Sequence, residues 1–138
     1  MNPLVKNILA VVAGWIIGSA VNMGFIILGS KLIPLPPEIN IMDSESLQAN
    51  AHLFEGRHFI FPFIAHALGT LVGAYVATKI AASYQQIIAL IIGTLFLLGG
   101  LSVIMQMPSP TWFTILDLGL AYIPMALLGW RLSRKAEV

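Results

Sequence analysis

The chain has 138 residues, of which 58% are hydrophobic and 9% are charged. An ordinary soluble domain carries about 25% charged residues, so thirteen charges cannot cover a water-facing surface of this size. The composition excludes a soluble globule, a disordered chain and a nucleic-acid-binding protein, and it indicates an integral membrane protein. Cysteine is absent, which excludes disulfides and thiolate chemistry.

Long charge-free runs divide the chain into predicted transmembrane helices. The run from Ile80 to Leu116 has 37 residues, too many for one crossing of a hydrocarbon core that takes about 20 helical residues. It must fold back, and Pro108 and Pro110 mark the turn. We predict a single, all-α membrane domain over residues 1–138, with four transmembrane helices packed as a bundle. The predicted spans lie near residues 8–29, 59–80, 87–106 and 112–130.

The first span follows Lys6 and has one alternative interpretation, a signal peptide cleaved near Gly18–Ala20. Its apolar stretch is about 20 residues long, whereas the apolar region of a signal peptide has about 7–15. We therefore favour a first helix that stays in the protein.

Basic residues predict the side of the membrane on which the termini lie. An even number of spans puts both termini on one side, and cytoplasmic segments carry an excess of Lys and Arg. The terminal side has five such residues and the other side two, so we predict cytoplasmic termini and an outward-facing first loop. The five are Lys6, Lys79, Arg131, Arg134 and Lys135, and the two are Lys31 and Arg57.

The predicted outer loop, residues 31–57, begins with prolines that cannot continue the first helix. Asp43 is a good N-cap for a short amphipathic helix from about Ser44 to Phe54, which Gly56 would end. We expect this helix to cap the bundle or lie on the membrane surface. A lid over a cavity is the alternative.

Small residues recur at every fourth position in the first two spans, and this pattern lets helices approach closely in lipid. We predict that these spans pair through Gly14, Gly18, Gly69 and Gly73, within one chain or between copies. Pro62 and Pro124 should kink their spans unless they fall in a first turn.

Polar residues inside the spans are the candidate site, because such residues are costly in lipid. Counted at 1.5 Å per residue, one from each span lies roughly 6–10 Å below the outer surface. This layer would lock the helices together by hydrogen bonds, or line an outward-open cavity for a small polar ligand, proton or ion. A third interpretation leaves the carboxylate at the interface, near a helix N-terminus. The layer consists of Asn22, His66, Ser102 and Asp117.

His52, Glu55 and His58 have a spacing that allows a metal site, but Gly56 and the positive charge of Arg57 disfavour it. We predict no metal and no cofactor. A histidine and a carboxylate can also serve acid–base chemistry. No nucleophile or phosphate-binding loop accompanies them, so we expect no enzyme.

The runs PLPPEINIMDSESL and AHALGTLVG, together with the P-x-P turn before the last span, resemble small four-span proteins of the bacterial inner membrane. The resemblance implies that location and no particular activity. We expect a non-enzymatic structural or accessory component that acts through helix–helix association. Its partners would be membrane lipids, further copies of the chain or a larger membrane complex. The alternatives are a small oligomeric transporter or channel with an outer-leaflet polar site, and, less favoured, a membrane-embedded enzyme.

Overall fold

The computed structural model describes residues 1–107 and 109–135, and over these ranges the chain is helical and contains no strand. Four segments are long and apolar enough to cross a membrane, which confirms the predicted all-α class with four spans. Pro108, part of the predicted turn, lies outside the described residues. The helices are α1 (Pro3–Leu32), α2 (Ser44–Ala49), α3 (Ile60–Ile80), α4 (Gln85–Gln106), α5 (Thr111–Leu120) and α6 (Ile123–Lys135).

The first helix is longer than the apolar stretch that predicts it. Asn2 caps α1 by accepting a hydrogen bond from the backbone N–H of Leu4 at 2.8 Å, and Pro3 occupies the first turn, where its missing N–H costs nothing. The helix has 30 residues, about 45 Å at 1.5 Å per residue. Its charged ends therefore extend beyond a hydrocarbon core of about 30 Å.

The short helix in the first loop begins where it is predicted and ends early. Asp43 caps α2 by accepting from the backbone N–H of Glu45 at 3.1 Å. The helix ends at Ala49, not near Phe54, because Asn50 leaves the helical conformation and its side chain donates to the Ser46 carbonyl. Two short 3-10 turns then lead into α3.

The loop lies over one end of the bundle and encloses a cavity there. Leu47 and Phe54 from the loop, together with Ile26 of α1 and Phe61 of α3, line a cavity of about 110 Å³ at this end of the molecule. The apolar face of the loop therefore packs on the ends of two helices. We call this the loop end of the bundle.

The two prolines inside spans have different effects. Pro62 falls in the first turn of α3, which continues unbroken to Ile80. Pro124 follows a real break, since α5 ends at Leu120 and a new helix begins at Ile123. The fourth span therefore consists of two helices, and Tyr122 lies at the break.

The third helix is central: α3 contacts α1, α4, α5 and α6, whereas α1 packs mainly on α3. The structure places the four predicted packing glycines at the contact between α1 and α3 within one chain. A Cβ added to Gly14 would lie 2.5 Å from the Gly73 carbonyl oxygen, and one added to Gly18 would lie 2.6 Å from the Gly69 carbonyl oxygen. Only glycine allows backbones to approach this closely.

The opposite end of the bundle carries both ends of the described chain, and we call it the terminal end. There the Asn7 side chain accepts from the backbone N–H of Ala82 at 2.9 Å, which ties the start of α1 to the connection between α3 and α4. Thr78 of α3 donates to Ser133 of α6 at 2.9 Å. The five basic residues of the predicted cytoplasmic side belong to these helix ends.

Candidate intramembrane polar site

Three side chains from three helical segments meet in the loop-end half of the bundle. His66 lies in the second turn of α3, Asp117 in α5, and Tyr122 at the break before α6. Counted from Thr111, Asp117 is about 9 Å and Tyr122 about 16 Å along the fourth span. We call these three residues the polar cluster.

The hydrogen bonds of the polar cluster converge on the carboxylate. His66 Nδ1 lies 2.8 Å from one Asp117 oxygen, and the Tyr122 hydroxyl donates to the other oxygen at 2.9 Å. As a carboxylate, Asp117 accepts from both neighbours, so the His66 proton in this arrangement is on Nδ1. The Tyr122 oxygen is 3.1 Å from the same nitrogen, and the two rings stack with centroids 5.7 Å apart.

The members of the polar cluster differ in exposure. The side chain of Asp117 is 1% exposed and Tyr122 is equally buried, whereas the His66 side chain is 20% exposed. Nε2 of His66 has no hydrogen-bond partner among the described residues, and it is not one of the enclosed polar atoms. The second nitrogen of the ring is therefore not fully enclosed, while the carboxylate holds the first.

Neighbouring residues fix the positions of the cluster. Gly100 of α4 faces Tyr122 so closely that an added Cβ would meet the tyrosine hydroxyl. On the next turn of α3, the fully buried Thr70 donates to the His66 carbonyl at 2.8 Å and so leaves no unpaired hydroxyl beside the ring. Gly100 therefore leaves room for the Tyr122 ring. The Thr70 hydroxyl already donates to a carbonyl of its own helix, so it does not compete for the hydrogen bonds of His66.

Of the predicted four-residue layer, the structure brings together only His66 and Asp117. Ser102 does not join them: it lies on an exposed face of α4, where its hydroxyl accepts from Gln106 at 3.1 Å. Asn22 packs against Gly69, one turn from His66, but its Oδ1 is buried without a hydrogen-bond partner. Counting along the sequence gives the four residues similar depths, but the structure does not bring all four side chains together.

Tyr122 is the member that the sequence analysis missed. Its signal is its position near the middle of a span, because a tyrosine hydroxyl surrounded by helices needs a hydrogen-bond partner. A continuous helix would separate residues 117 and 122 by about 500°, on different faces. The break before Pro124 changes this relation and brings the two side chains into contact.

The histidines of the loop have separate roles. His52 is exposed, whereas His58 is buried and its Nδ1 accepts from the backbone N–H of Glu55 at 2.8 Å. Glu55 instead pairs with Arg57 at 3.0 Å. Within residues 1–107 and 109–135, no three His, Cys, Asp or Glu side chains form a group that could hold a metal ion.

The comparisons with known proteins name no relative. No protein-family model, curated protein or solved structure matches the chain. Its function must therefore be argued from the polar cluster itself.

The group of the polar cluster that could react or bind is the His66 imidazole, which Asp117 holds in one orientation. With Nδ1–H held by Asp117, Nε2 is a hydrogen-bond acceptor and a base, and on protonation it becomes a donor. The Tyr122 hydroxyl is already committed to the carboxylate. The arrangement can therefore bind a polar group at one nitrogen.

Proposed function

We propose that this chain is a multi-pass protein of the bacterial inner membrane, with both termini in the cytoplasm, and that it binds a small polar molecule at His66 without chemically changing it. The excess of Lys and Arg at the terminal end, five against two, supports this orientation. The polar cluster then lies in the outer half of the membrane, where an outer ligand could reach it.

One observation carries the binding proposal: the polar cluster is only partly saturated. A cluster that served helix packing alone would use every polar atom, because an unpaired group in lipid costs free energy. Both Asp117 oxygens and the Tyr122 hydroxyl are used. Nε2 of His66 is not, although it lies deep in a span. This pattern is typical of a group that meets a ligand.

The test is the reactivity of each histidine toward diethyl pyrocarbonate in nanodiscs, read by mass spectrometry of peptides. The reagent attacks an accessible, unprotonated imidazole nitrogen. We expect rapid modification of exposed His52, slower but clear modification of His66, and protection of His58, whose Nε2 is enclosed. The three histidines thus provide their own high and low controls.

Protection of His66 equal to that of His58 would contradict the proposal, because a closed site cannot meet a ligand from outside. A reactive His66 would be followed by native mass spectrometry of protein released from its host membrane in mild detergent. We expect an added small mass on the wild type and on Ser102→Ala, and its loss in His66→Phe. Equal added mass on all three proteins would place the ligand elsewhere.

A second candidate function is association with another membrane protein or a further copy of this chain. The four packing glycines of the first two spans cannot provide this association, because they form the contact between α1 and α3 within one chain. Gly24, Gly99 and Gly119 do favour it, since each faces open space, with no atom within 4 Å of an added Cβ. Small residues exposed to lipid allow close approach of a further helix.

The absence of cysteine makes this candidate simple to test. Single variants Gly24→Cys, Gly99→Cys and Gly119→Cys would be oxidised in native membranes, with exposed Thr94→Cys as the control. Association through one of these glycines predicts a cross-linked product at that position and none at the control. Equal cross-linking at all positions indicates random collision and contradicts it.

A further inference from the structure

The terminal end of the bundle carries two shallow grooves that share one arginine. The first, about 390 Å³, lies between the start of α4 and the end of α6, with Gln85, Ile87 and Trp130 in its wall. The second, about 580 Å³, runs along α6 beside Leu128 and Arg131. Arg134 lines both grooves.

The charged side chains that line these grooves in the described part of the chain are all positive. Arg131, Arg134 and Lys135 surround the second groove, and all three are exposed. Of the residues in the described ranges, none at this end is an aspartate or glutamate. The nearest carboxylate along the described part of the fourth span is Asp117, which the polar cluster uses. The described residues at this end therefore place no carboxylate beside a bound anion.

Arg134 is held in place without losing its hydrogen-bonding capacity. Its guanidinium carbon lies 5.3 Å from the centre of the Trp130 ring, a cation–π arrangement. Stacking of this kind orients the plane of the guanidinium and leaves its N–H groups free to point outward. A phosphate accepts two such N–H groups at once.

Each groove has one or more basic side chains in one part of its wall and apolar side chains in another. Ile87 continues the first groove toward the apolar part of α4, and Leu128 and Leu132 do the same for the second along α6. A phospholipid fits such a groove, because its phosphate can contact the basic residues while its acyl chains contact the apolar ones. A soluble anion would use the cations only.

We propose that the two grooves bind an anionic phospholipid that has two phosphates, one in each groove, with Arg134 between them. Basic pockets between helices on the cytoplasmic side suit such headgroups. Because two grooves meet at one arginine, a lipid with two phosphates can occupy both at once, whereas a lipid with one phosphate occupies only one. The site is separate from the polar cluster, which lies in the other half of the bundle.

Native mass spectrometry of the full chain in a neutral detergent tests this site with cardiolipin, phosphatidylglycerol and phosphatidylcholine as probes. We expect the wild type to bind cardiolipin most tightly and phosphatidylcholine least. Arg134→Gln should weaken both anionic lipids, by about fivefold for the lost charge. Arg131→Gln should weaken cardiolipin and leave one phosphatidylglycerol bound in the first groove. Arg57→Gln, an exposed arginine at the loop end, is the matched control and should change nothing.

Three results would overturn the proposal. Equal binding of phosphatidylcholine would show that charge does not select the lipid. Equal weakening by Arg57→Gln would place the lipid elsewhere. Equal displacement of cardiolipin by inorganic phosphate and by phosphatidylglycerol at the same concentration would show that the apolar walls contribute nothing. The variants are all at exposed side chains, so we expect each of them to fold.

Discussion

The two sides of α3 are held in opposite ways. Toward α1, glycines bring two backbones together, and the contact is made mainly by small groups. Toward α5 and the start of α6, the contact includes a carboxylate, an imidazole and a phenol joined by hydrogen bonds. On the first side, a side-chain atom added to a glycine would collide with the backbone of the other helix. On the second side, removing the Asp117 carboxylate would remove the acceptor of two hydrogen bonds. Each side leaves one polar atom unpaired: Asn22 Oδ1 beside Gly69, which is enclosed, and His66 Nε2, which is not.

The largest expected effect comes from Gly14→Leu, which would separate α1 from α3. The added Cβ would lie 2.5 Å from the Gly73 carbonyl oxygen and 2.6 Å from the Ala77 Cβ. Neither neighbour is a flexible side chain that could rotate away. We expect a loss at or above the upper end of the roughly 1–3 kcal/mol that overpacking costs, measured as the melting temperature in detergent.

Gly24→Leu is the matched control, because it lies on the same helix and faces open space. Its stability should stay within about 0.5 kcal/mol of the wild type. If Gly14→Leu melted at the same temperature as Gly24→Leu, the glycine contact would contribute nothing to stability.

The next effect is that of Asp117→Leu, which removes the acceptor of two hydrogen bonds. His66 Nδ1 and the Tyr122 hydroxyl would lose the acceptor that they share, and we expect a loss of about 1–3 kcal/mol. Asp117→Asn keeps one acceptor oxygen and should lose less. A melting temperature unchanged by Asp117→Leu would show that the cluster does not hold the helices together.

A triple variant sharpens this test. His66→Phe, Asp117→Leu and Tyr122→Phe together leave no polar group unpaired, and such replacement can be nearly neutral. We expect the triple variant to be more stable than Asp117→Leu alone. The reverse order would indicate that packing, and not hydrogen bonding, causes the loss.

Charge-free runs were enough to predict the number and class of the spans, because a chain in lipid has few alternatives to the helix. The spacing of small residues at every fourth position predicted that the first two spans pair. What the pattern left open was rotation about each helix axis. The fourth-position spacing in α1 and α3 marks a face, whereas α4 is apolar on all sides, so the depth of Ser102 could be counted but its direction could not.

Tyr122 and the loop helix show a second limit of the sequence. Both depend on where a helix stops: the break before Pro124 turns Tyr122 toward Asp117, and Asn50 ends α2 after six residues. Proline marks a kink without fixing the side chains that it brings together. Helix ends are set by a few local hydrogen bonds, and these are visible only in the structure.

The smallest and most local effect is expected from Gly100→Ala, compared with Gly99→Ala on the adjacent residue. A Cβ at Gly100 would meet the Tyr122 hydroxyl, whereas one at Gly99 meets nothing within 4 Å. Displacing the hydroxyl should cost about the 1 kcal/mol of one hydrogen bond, and Gly99→Ala should be neutral or slightly stabilising. Both are measured as melting temperatures in detergent. In a Tyr122→Ala background the added methyl group has room, so Gly100→Ala should then cost nothing. A loss of stability that persists in this background would mean that Gly100 affects the bundle independently of the polar cluster. It would also mean that room for Tyr122 is not the reason why glycine is needed at position 100.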